Sequence, residues 1–284
     1  MAGYLDELNG KVWIAAHAGV SGGDIACNTV PSFQAALMQG ADVIELDAAV
    51  SRDGTCYVFH SGKEQQLLHV DRPFSDMSDR EVEQLRPFNP DNHVTKDPIP
   101  RLDKVLNLLR GKCRINIDKF EDNMPQIASC IRACGLEDQV IVKATLTRGM
   151  LPALEEHAKG LPFLCRMVAD EGQHDFLISN PKLRYIGAEV VYENEQSAFA
   201  SPRFIDRVHR DGCVLWTNAM VYSYQNQQAA GHSDDLAMTG DPDGGWGWLI
   251  RRGYDIILTD WPVMLRLYAA KHFPERCDQS TLCL

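Results

Sequence analysis

Short apolar runs recur along the chain and alternate with stretches in which apolar residues follow a helical period. In each run Val, Ile, Leu and aromatic residues stand together over a few positions, which is typical of strands buried on both faces. Nine strands are predicted in this way, at residues 12–16, 42–49, 56–60, 113–118, 139–144, 162–168, 184–192, 213–218 and 255–260.

The segments between the runs carry amphipathic helix patterns that start and stop at recognisable residues. Residues 31–40 begin with a proline in the first turn and end at Gly40. The clearest patterns cover residues 31–40, 101–111, 124–135 and 201–212. Alternation of strands and helices predicts a parallel sheet covered by helices.

The strand count favours a closed barrel over an open sheet. Residues 42–49 and 56–60 are joined by the tight-turn sequence Ser-Arg-Asp-Gly at 51–54, which predicts an antiparallel hairpin. Without the second arm of that hairpin, eight strand–helix units remain, and these fit a (β/α)8 TIM barrel. A doubly wound open sheet is the alternative, weakened because no GxGxxG sequence follows the first strand.

Two long segments interrupt the alternation. Residues 61–100 contain five prolines and one short helical pattern. Residues 219–248 are polar and glycine-rich. Their last part, 240–248, is interpreted either as a lid over a site or as an ordinary surface loop. We therefore expect one α/β domain over residues 1–284, with a small insertion at about 61–100 after the second-strand hairpin.

Carboxylates stand at the predicted C-terminal ends of strands, where barrel enzymes place their chemistry. Glu45 and Asp47 are two positions apart on one strand and so face the same side. Asp118 ends a later strand. Three carboxylates without a cysteine favour a hard divalent cation such as Mg²⁺ or Ca²⁺. The alternative is a structural ion network in which Glu45 pairs with a lysine such as Lys119 or Lys143.

Two histidines lie at neighbouring strand ends. His17 ends the first strand, and His60 ends the second arm of the hairpin. A single histidine at such a position is more often structural. Two of them beside a cation can serve as general base and general acid, because the ordinary pKa of histidine lies near working pH.

Composition narrows the classes of partner. The net charge is −11, which argues against nucleic acid as the main partner and against electrostatic docking on anionic membranes. The N-terminal sequence lacks a signal-peptide pattern, and no apolar run is long enough to span a bilayer. We expect a cytoplasmic protein without stable membrane anchoring. The nine cysteines lie mostly in apolar stretches, which predicts buried thiols.

Several segments, taken in order, are more specific than any of them alone. They are "AAHAG" at 15–19, the segment from Cys27 to His60, "RINIDKF" at 114–120, "VLWTNA" at 214–219 and "GYDIILTDWP" at 253–262. This ordered set resembles the signature of the glycerophosphodiester phosphodiesterase family over roughly residues 12–266. The resemblance implies a (β/α)8 barrel and a metal-dependent phosphodiester hydrolase.

The resemblance also implies roles for individual residues. His17 and His60 match the catalytic histidines of the family, and Glu45 and Asp47 match its metal carboxylates. Asp118 stands where the family usually has a glutamate as the third ligand.

Three positions depart from the family pattern on the phosphate side. Ala18 replaces an arginine, Cys27 replaces a glutamate, and Phe120 holds the place of a lysine. The phosphate charge must then be met by the metal and by another cation. Lys143, near the end of the fourth barrel strand, is the main candidate, and Lys119 and Arg166 are weaker ones.

Two further residues are candidates for substrate binding. Glu189 interrupts an apolar strand and is either an extra ligand or an ion-pair partner, for example of Lys143. Trp216 is either an apolar wall for the leaving alcohol or part of the core.

The predicted reaction is hydrolysis of a small glycerophosphodiester to glycerol phosphate and an alcohol, with His17 as base and His60 as acid. The nucleophile is water or a neighbouring substrate hydroxyl. A lyase-type phospholipase of the same barrel class is a related option, disfavoured by the missing signal peptide and disulfide pattern. A second hypothesis, from another class, is an altered barrel that binds or senses a phosphorylated small molecule, motivated by the lost arginine and glutamate.

Overall fold

The computed structural model describes residues 4–147 and 149–278, and each of the nine predicted strands is found there. They are β1 (Trp13–Ala16), β2 (Val43–Val50), β3 (Cys56–Val58), β4 (Arg114–Asp118), β5 (Val140–Thr145), β6 (Pro162–Met167), β7 (Arg184–Val190), β8 (Val214–Asn218) and β9 (Ile256–Thr259). The strand predicted at 56–60 ends at Val58, and His60 lies beyond its last paired residue.

Helices occupy the segments between the strands. They are α1 (Tyr4–Leu8), α2 (Val30–Met38), α3 (Glu64–Leu68), α4 (Asp79–Gln84), α5 (Leu102–Leu109), α6 (Met124–Cys134), α7 (Leu151–His157), α8 (Gly172–Ile178), α9 (Pro202–Arg210), α10 (Asp234–Met238), α11 (Trp248–Arg252) and α12 (Pro262–His272). The longer helices bury one apolar face. In α5 this face consists of Leu102, Val105, Leu106 and Leu109, as the sequence predicts.

The fold is the (β/α)8 barrel, with eight parallel strands and β3 as one additional antiparallel strand. The alternative of a doubly wound open sheet is therefore wrong. The strands are buried on both faces, which is why their sequences read as continuous apolar runs.

By contact density the chain divides into two compact units. The hairpin unit comprises residues 18–38 and 43–162, and the terminal unit comprises residues 1–17, 39–42 and 163 onward. That the chain is a single domain over residues 1–284 stays a prediction.

In the hairpin unit the strand order is β3-β2-β4-β5. Strands β2 and β3 pair antiparallel around the predicted turn, with Ala48 opposite Val58. Strands β2 and β4 pair parallel, and their register sets Asp47 directly opposite Asp118. Two carboxylates that are far apart in the sequence thus become neighbours at the carboxyl ends of adjacent strands.

The predicted insertion packs on the hairpin. Residues 61–100 contain α3, α4 and a short 3₁₀ turn at Phe74–Asp76. Their apolar side chains share a small core with the β2–β3 hairpin: Ala49, Tyr57, Phe59, Leu68, Phe74, Met77, Val82 and Ile99. The hairpin that carries the candidate site residues is therefore supported by a hydrophobic cluster of its own.

In the terminal unit the strand order is β1-β9-β8-β7-β6. Ala16 pairs with Thr259 at the carboxyl ends of β1 and β9, and Glu189 pairs with Trp216 on β7 and β8. The buried Arg266 of α12 donates to the Oδ2 atom of Asp42 at 2.5 Å, which ties that helix to the start of the sheet. Within residues 4–147 and 149–278, no helix has both the length and the apolar character needed to cross a bilayer.

The cysteines that the structure describes include the buried thiols predicted from sequence. Cys56, Cys165 and Cys213 are buried, whereas Cys113 is partly exposed. Burial raises the pKa of the Cys213 thiol to about 12, so that this side chain stays protonated and behaves as a small apolar group.

Gly187 on β7 allows a close approach of neighbouring backbone, and its replacement by Ala is expected to be strongly destabilising. A Cβ there would lie 1.9 Å from the carbonyl oxygen of Val214, and the φ of +150° disfavours side chains. We expect Gly187→Ala to lower the free energy of unfolding by more than about 3 kcal/mol, measured by denaturant titration. Gly149→Ala is the matched control, because a Cβ there meets no atom within 4 Å; equal losses in both variants would contradict the account.

Candidate active site

Three carboxylates form an acidic cluster near the point where the parallel pairing of β2 with β4 ends. Glu45, Asp47 and Asp118 each offer an oxygen atom, and these atoms all lie within 4.8 Å of one another. Glu45 and Asp47 are only 2% and 3% exposed. Burying like charges this close is costly unless a cation offsets them, so the cluster has the donor set of a hard divalent-cation site.

Glu45 is oriented by the turn that follows β1. The amide N–H of Ala18 donates to the Oε2 atom of Glu45 at 3.0 Å. Ala18 has a φ of +51°, and the next residue, Gly19, has a φ of +79°. A Cβ on Gly19 would lie 2.5 Å from the Oγ atom of Ser32, so only glycine fits this turn. Ala18, which stands where the resembled family has an arginine, thus contacts Glu45 through its backbone amide.

Asp47 is held by Asn28 and approached by His60. The side-chain amide of Asn28 donates to Asp47 Oδ2 at 2.8 Å, and Asn28 Oδ1 accepts from the backbone N–H of Asp47 at 3.3 Å. The Nε2 atom of His60 lies 3.9 Å from Asp47 Oδ1. His60 Nδ1 donates to the carbonyl oxygen of Ser61 at 2.9 Å, which places the proton on Nδ1 and directs Nε2 to the acidic cluster.

Two lysines lie next to Asp118. The Nζ atom of Lys143, whose side chain is 3% exposed, lies 3.6 Å from Asp118 Oδ2. Lys119 has a left-handed φ of +61°, and its backbone N–H donates to Asp118 Oδ1 at 2.8 Å. Lys143 therefore pairs with Asp118 and brings a buried positive charge to the cluster.

The terminal unit supplies His17, the other predicted histidine. Its Nδ1 atom donates to Asp260 Oδ1 at 2.9 Å, and its backbone N–H donates to the carbonyl oxygen of Thr259 at 3.1 Å. The Tyr222 ring packs edge-on against the imidazole, with centroids 6.0 Å apart. His17 is bonded through its peptide to Ala18, whose amide contacts Glu45.

Glu189 and Trp216 share a hydrogen-bonded group in the terminal unit. Arg166 Nε lies 3.3 Å from Glu189 Oε1, and the side-chain amide of Asn218 donates to the same oxygen at 3.2 Å. The indole N–H of Trp216 donates to Asn218 Oδ1 at 3.1 Å. Trp216 is fully buried, which favours the interpretation that it packs in the core and orients Asn218.

Some residues of this region have no clear signal in the sequence. Glu121 lies in the turn after β4 and accepts from the backbone N–H of Thr145 at 3.1 Å. Burial raises the pKa of Glu121, and the nearby charge of Asp118 adds to the rise. Asp260 is visible as a strand-end carboxylate, but its histidine partner is 243 positions away and could not be assigned without the fold.

A (β/α)8 barrel with an acidic cluster at the carboxyl ends of its strands is typical of barrel enzymes whose carboxylates can hold a hard cation. The model of the glycerophosphoryl diester phosphodiesterase family matches residues 17–264. The chain belongs to this family and is thus a glycerophosphodiester phosphodiesterase. The resemblance seen in the sequence is confirmed.

Solved structures show the same fold. A glycerophosphoryl diester phosphodiesterase from Parabacteroides distasonis has a TM-score of 0.72 and 18% identity, with 95% of this chain and 93% of that chain covered. One from Agrobacterium tumefaciens has a TM-score of 0.66 and 22% identity, covering 89% and 98%. An Oleispira antarctica phosphodiesterase in complex with the product sn-glycerol-3-phosphate has a TM-score of 0.65 and 15% identity, covering 90% and 95%. No curated protein gave a significant match to the sequence.

Proposed function

We propose that the chain hydrolyses small glycerophosphodiesters to glycerol phosphate and an alcohol in a reaction that depends on Mg²⁺ or Ca²⁺. Glu45, Asp47 and Asp118 hold the cation, and His17 and His60 transfer protons. The observation that carries the proposal is the buried acidic cluster with His60 Nε2 within 3.9 Å of one of its carboxylates. The product bound in the Oleispira antarctica phosphodiesterase supports glycerol phosphate as the product here.

The acidic cluster fits a hard cation by its chemistry. All its donors are carboxylate oxygens, and two of the carboxylates are almost fully buried. When bound, such a cation polarises the phosphate and offsets charge that grows in the transition state. Asn28 and the Ala18 amide fix the carboxylates in place, so that the site is preorganised.

The hydrogen bonds of the histidines support their assignment to two roles. The carboxylate of Asp260 accepts the Nδ1 proton of His17, so Nε2 is the basic nitrogen. His17 is therefore suited to take a proton from the nucleophile, either water or a substrate hydroxyl. The Nε2 atom of His60 lies 3.9 Å from the Asp47 carboxylate at the acidic cluster, and His60 is suited by this position to protonate the leaving alkoxide.

Positive charge for the phosphate is proposed to come from Lys143, with Lys119 contributing at the edge of the cluster. Lys143 is buried beside Asp118, where a cation interacts with little screening by water. We further propose that Glu189 and Trp216 contribute to substrate binding by holding the side chain of Asn218, which presents polar atoms at the ends of β7 and β8.

A second candidate is a barrel that binds or senses a phosphorylated small molecule without turnover. The specific observation in its favour is that Ala18 and Cys27 stand where the related family has arginine and glutamate. The intact acidic cluster and both histidines favour turnover instead.

Product analysis separates the two candidates. Purified protein is incubated with glycerophosphocholine and glycerophosphoethanolamine, with Mg²⁺ or Ca²⁺ and with a chelator, and products are identified by ³¹P NMR. We expect glycerol phosphate to be released only when the cation is present. Phosphodiester that binds but stays intact with every cation would favour the sensor.

A further inference from the structure

A buried carboxylate in the second insertion has no part in the site as described so far. Asp234 begins α10, within residues 219–248, and is only 1% exposed. Its Oδ1 atom accepts from the indole N–H of Trp246 and from the hydroxyl of Thr259, both at 2.7 Å. Its Oδ2 atom accepts from the backbone N–H of Asp260 at 2.8 Å.

These bonds fix the carboxyl end of β9. The Thr259 hydroxyl also accepts from the backbone N–H of Trp261 at 2.9 Å, and the Thr259 carbonyl accepts from His17. Asp260 lies between these anchors, and its side chain accepts from His17 Nδ1. A continuous chain of hydrogen bonds therefore runs from the insertion through Asp234 and Asp260 to the imidazole.

We propose that Asp260 is a positioning residue for His17, and that Asp234 and Trp246 of the insertion hold Asp260 in the required orientation. The inference rests on the proposed function, since it assumes that His17 is the base. Residues 219–248 then contribute to catalysis by holding the base, His17, in position.

The charges and burial agree with such a role. Burial raises the pKa of Asp234 to about 6, so the group is ionised at pH 7.5 and can accept from all three donors. The Asp260 side chain is about half exposed, so water screens its charge. Its main effect on His17 is therefore to keep the proton on Nδ1 and to fix the plane of the ring.

Removing the Asp260 carboxylate should lower kcat and leave KM nearly unchanged. We expect about a 10- to 100-fold loss of kcat for Asp260→Ala at pH 7.5 with saturating cation, as is typical for partners that orient metal-binding histidines. Asp260→Asn keeps an acceptor oxygen and should recover part of the loss. Asp234→Asn cannot accept from all three donors and should lower kcat in the same way.

The matched control removes a carboxylate from another histidine of the same unit. Asp211 Oδ2 lies 3.0 Å from His174 Nε2, away from the strand ends that carry the site, so Asp211→Ala should keep the wild-type kcat.

The His17 tautomer gives a readout apart from activity. In ¹⁵N NMR, with His17→Gln used to assign the signals, the wild type should show the Nδ1–H form, and Asp260→Ala should show a mixture of tautomers. If Asp260→Ala does not fold, the kcat and tautomer of Asp260→Asn decide the question.

Two results would overturn the inference: an unchanged kcat in the Asp260 variants, or an unchanged tautomer. If His17→Ala is inactive while the Asp260 variants are fully active, the inference fails and the proposed function stands. If the wild type releases no glycerol phosphate, the proposed function itself fails.

Discussion

Glu45→Gln is expected to abolish hydrolysis and, at the same time, to stabilise the cation-free protein. The carboxylate supplies one of the three charges of the acidic cluster, and cation binding is proposed to depend on it. Loss of the cation removes several kcal/mol of transition-state stabilisation, so we expect a fall in kcat/KM of about 10³-fold or more.

The gain in stability follows from relief of charge repulsion. Glu45 is buried, and its oxygen lies within 4.8 Å of oxygens of Asp47 and Asp118. Neutralising it removes like-charge repulsion from the buried cluster. Gln can still accept the Ala18 N–H, so the turn after β1 is retained.

Denaturant titration with chelator and with Ca²⁺ or Mg²⁺ measures both effects. The wild type should gain stability with the cation, whereas Glu45→Gln should be more stable than the wild type in chelator and insensitive to the cation. Glu64→Gln is the control, because Glu64 is a buried carboxylate of the hairpin unit that accepts from the backbone N–H of Phe74 outside the cluster. A Glu45→Gln protein that is destabilised in chelator would contradict the charge-repulsion argument.

His17→Ala and His60→Ala are expected to differ when the leaving group is changed. Each variant should lose about 10²- to 10⁴-fold in kcat with glycerophosphocholine, the usual range for a general acid or base. The alkoxide that leaves from glycerophosphocholine needs a proton. A p-nitrophenyl phosphodiester releases a stable phenolate and does not need one.

The general acid should therefore matter little for the aryl ester. We expect His60→Ala to recover most of its activity with the p-nitrophenyl substrate, while His17→Ala stays inactive with both. Steady-state kinetics on the two substrates provides the test, and His69→Ala serves as control because His69 hydrogen-bonds to Asn92 in the insertion. The reverse pattern would exchange the two roles, and equal losses on both substrates would argue against this division of roles.

The hairpin shows how much of the site the sequence could predict. Strand alternation places Glu45 and Asp47 on one face, and the Ser-Arg-Asp-Gly turn brings back the arm that leads to His60. The parallel register of β2 and β4 then sets Asp118 opposite Asp47. These relations follow from local periodicity and from the rule that barrel sites gather at carboxyl ends of strands.

The support of the site was beyond prediction from sequence, for a physical reason. Asp234 and Trp246 lie in a glycine-rich insertion with no periodic pattern. Trp246 donates to Asp234 from 12 positions away, and the other donors to Asp234, Thr259 and Asp260, are 25 and 26 positions away. The contact between the Ala18 amide and Glu45 could not be predicted from the sequence either, because every residue type except proline has a backbone N–H. Long-range pairing of this kind depends on the packed fold and not on the local sequence.

We propose that hydrolysis depends on a divalent cation held by the acidic cluster. This dependence is tested most directly by titrating Ca²⁺ or Mg²⁺ into chelator-treated protein while bound cation and release of glycerol phosphate are measured in the same samples. We expect one cation bound per chain, activity that rises in proportion to occupancy, and loss of both in Glu45→Gln. Full hydrolysis in protein that holds no cation would contradict it.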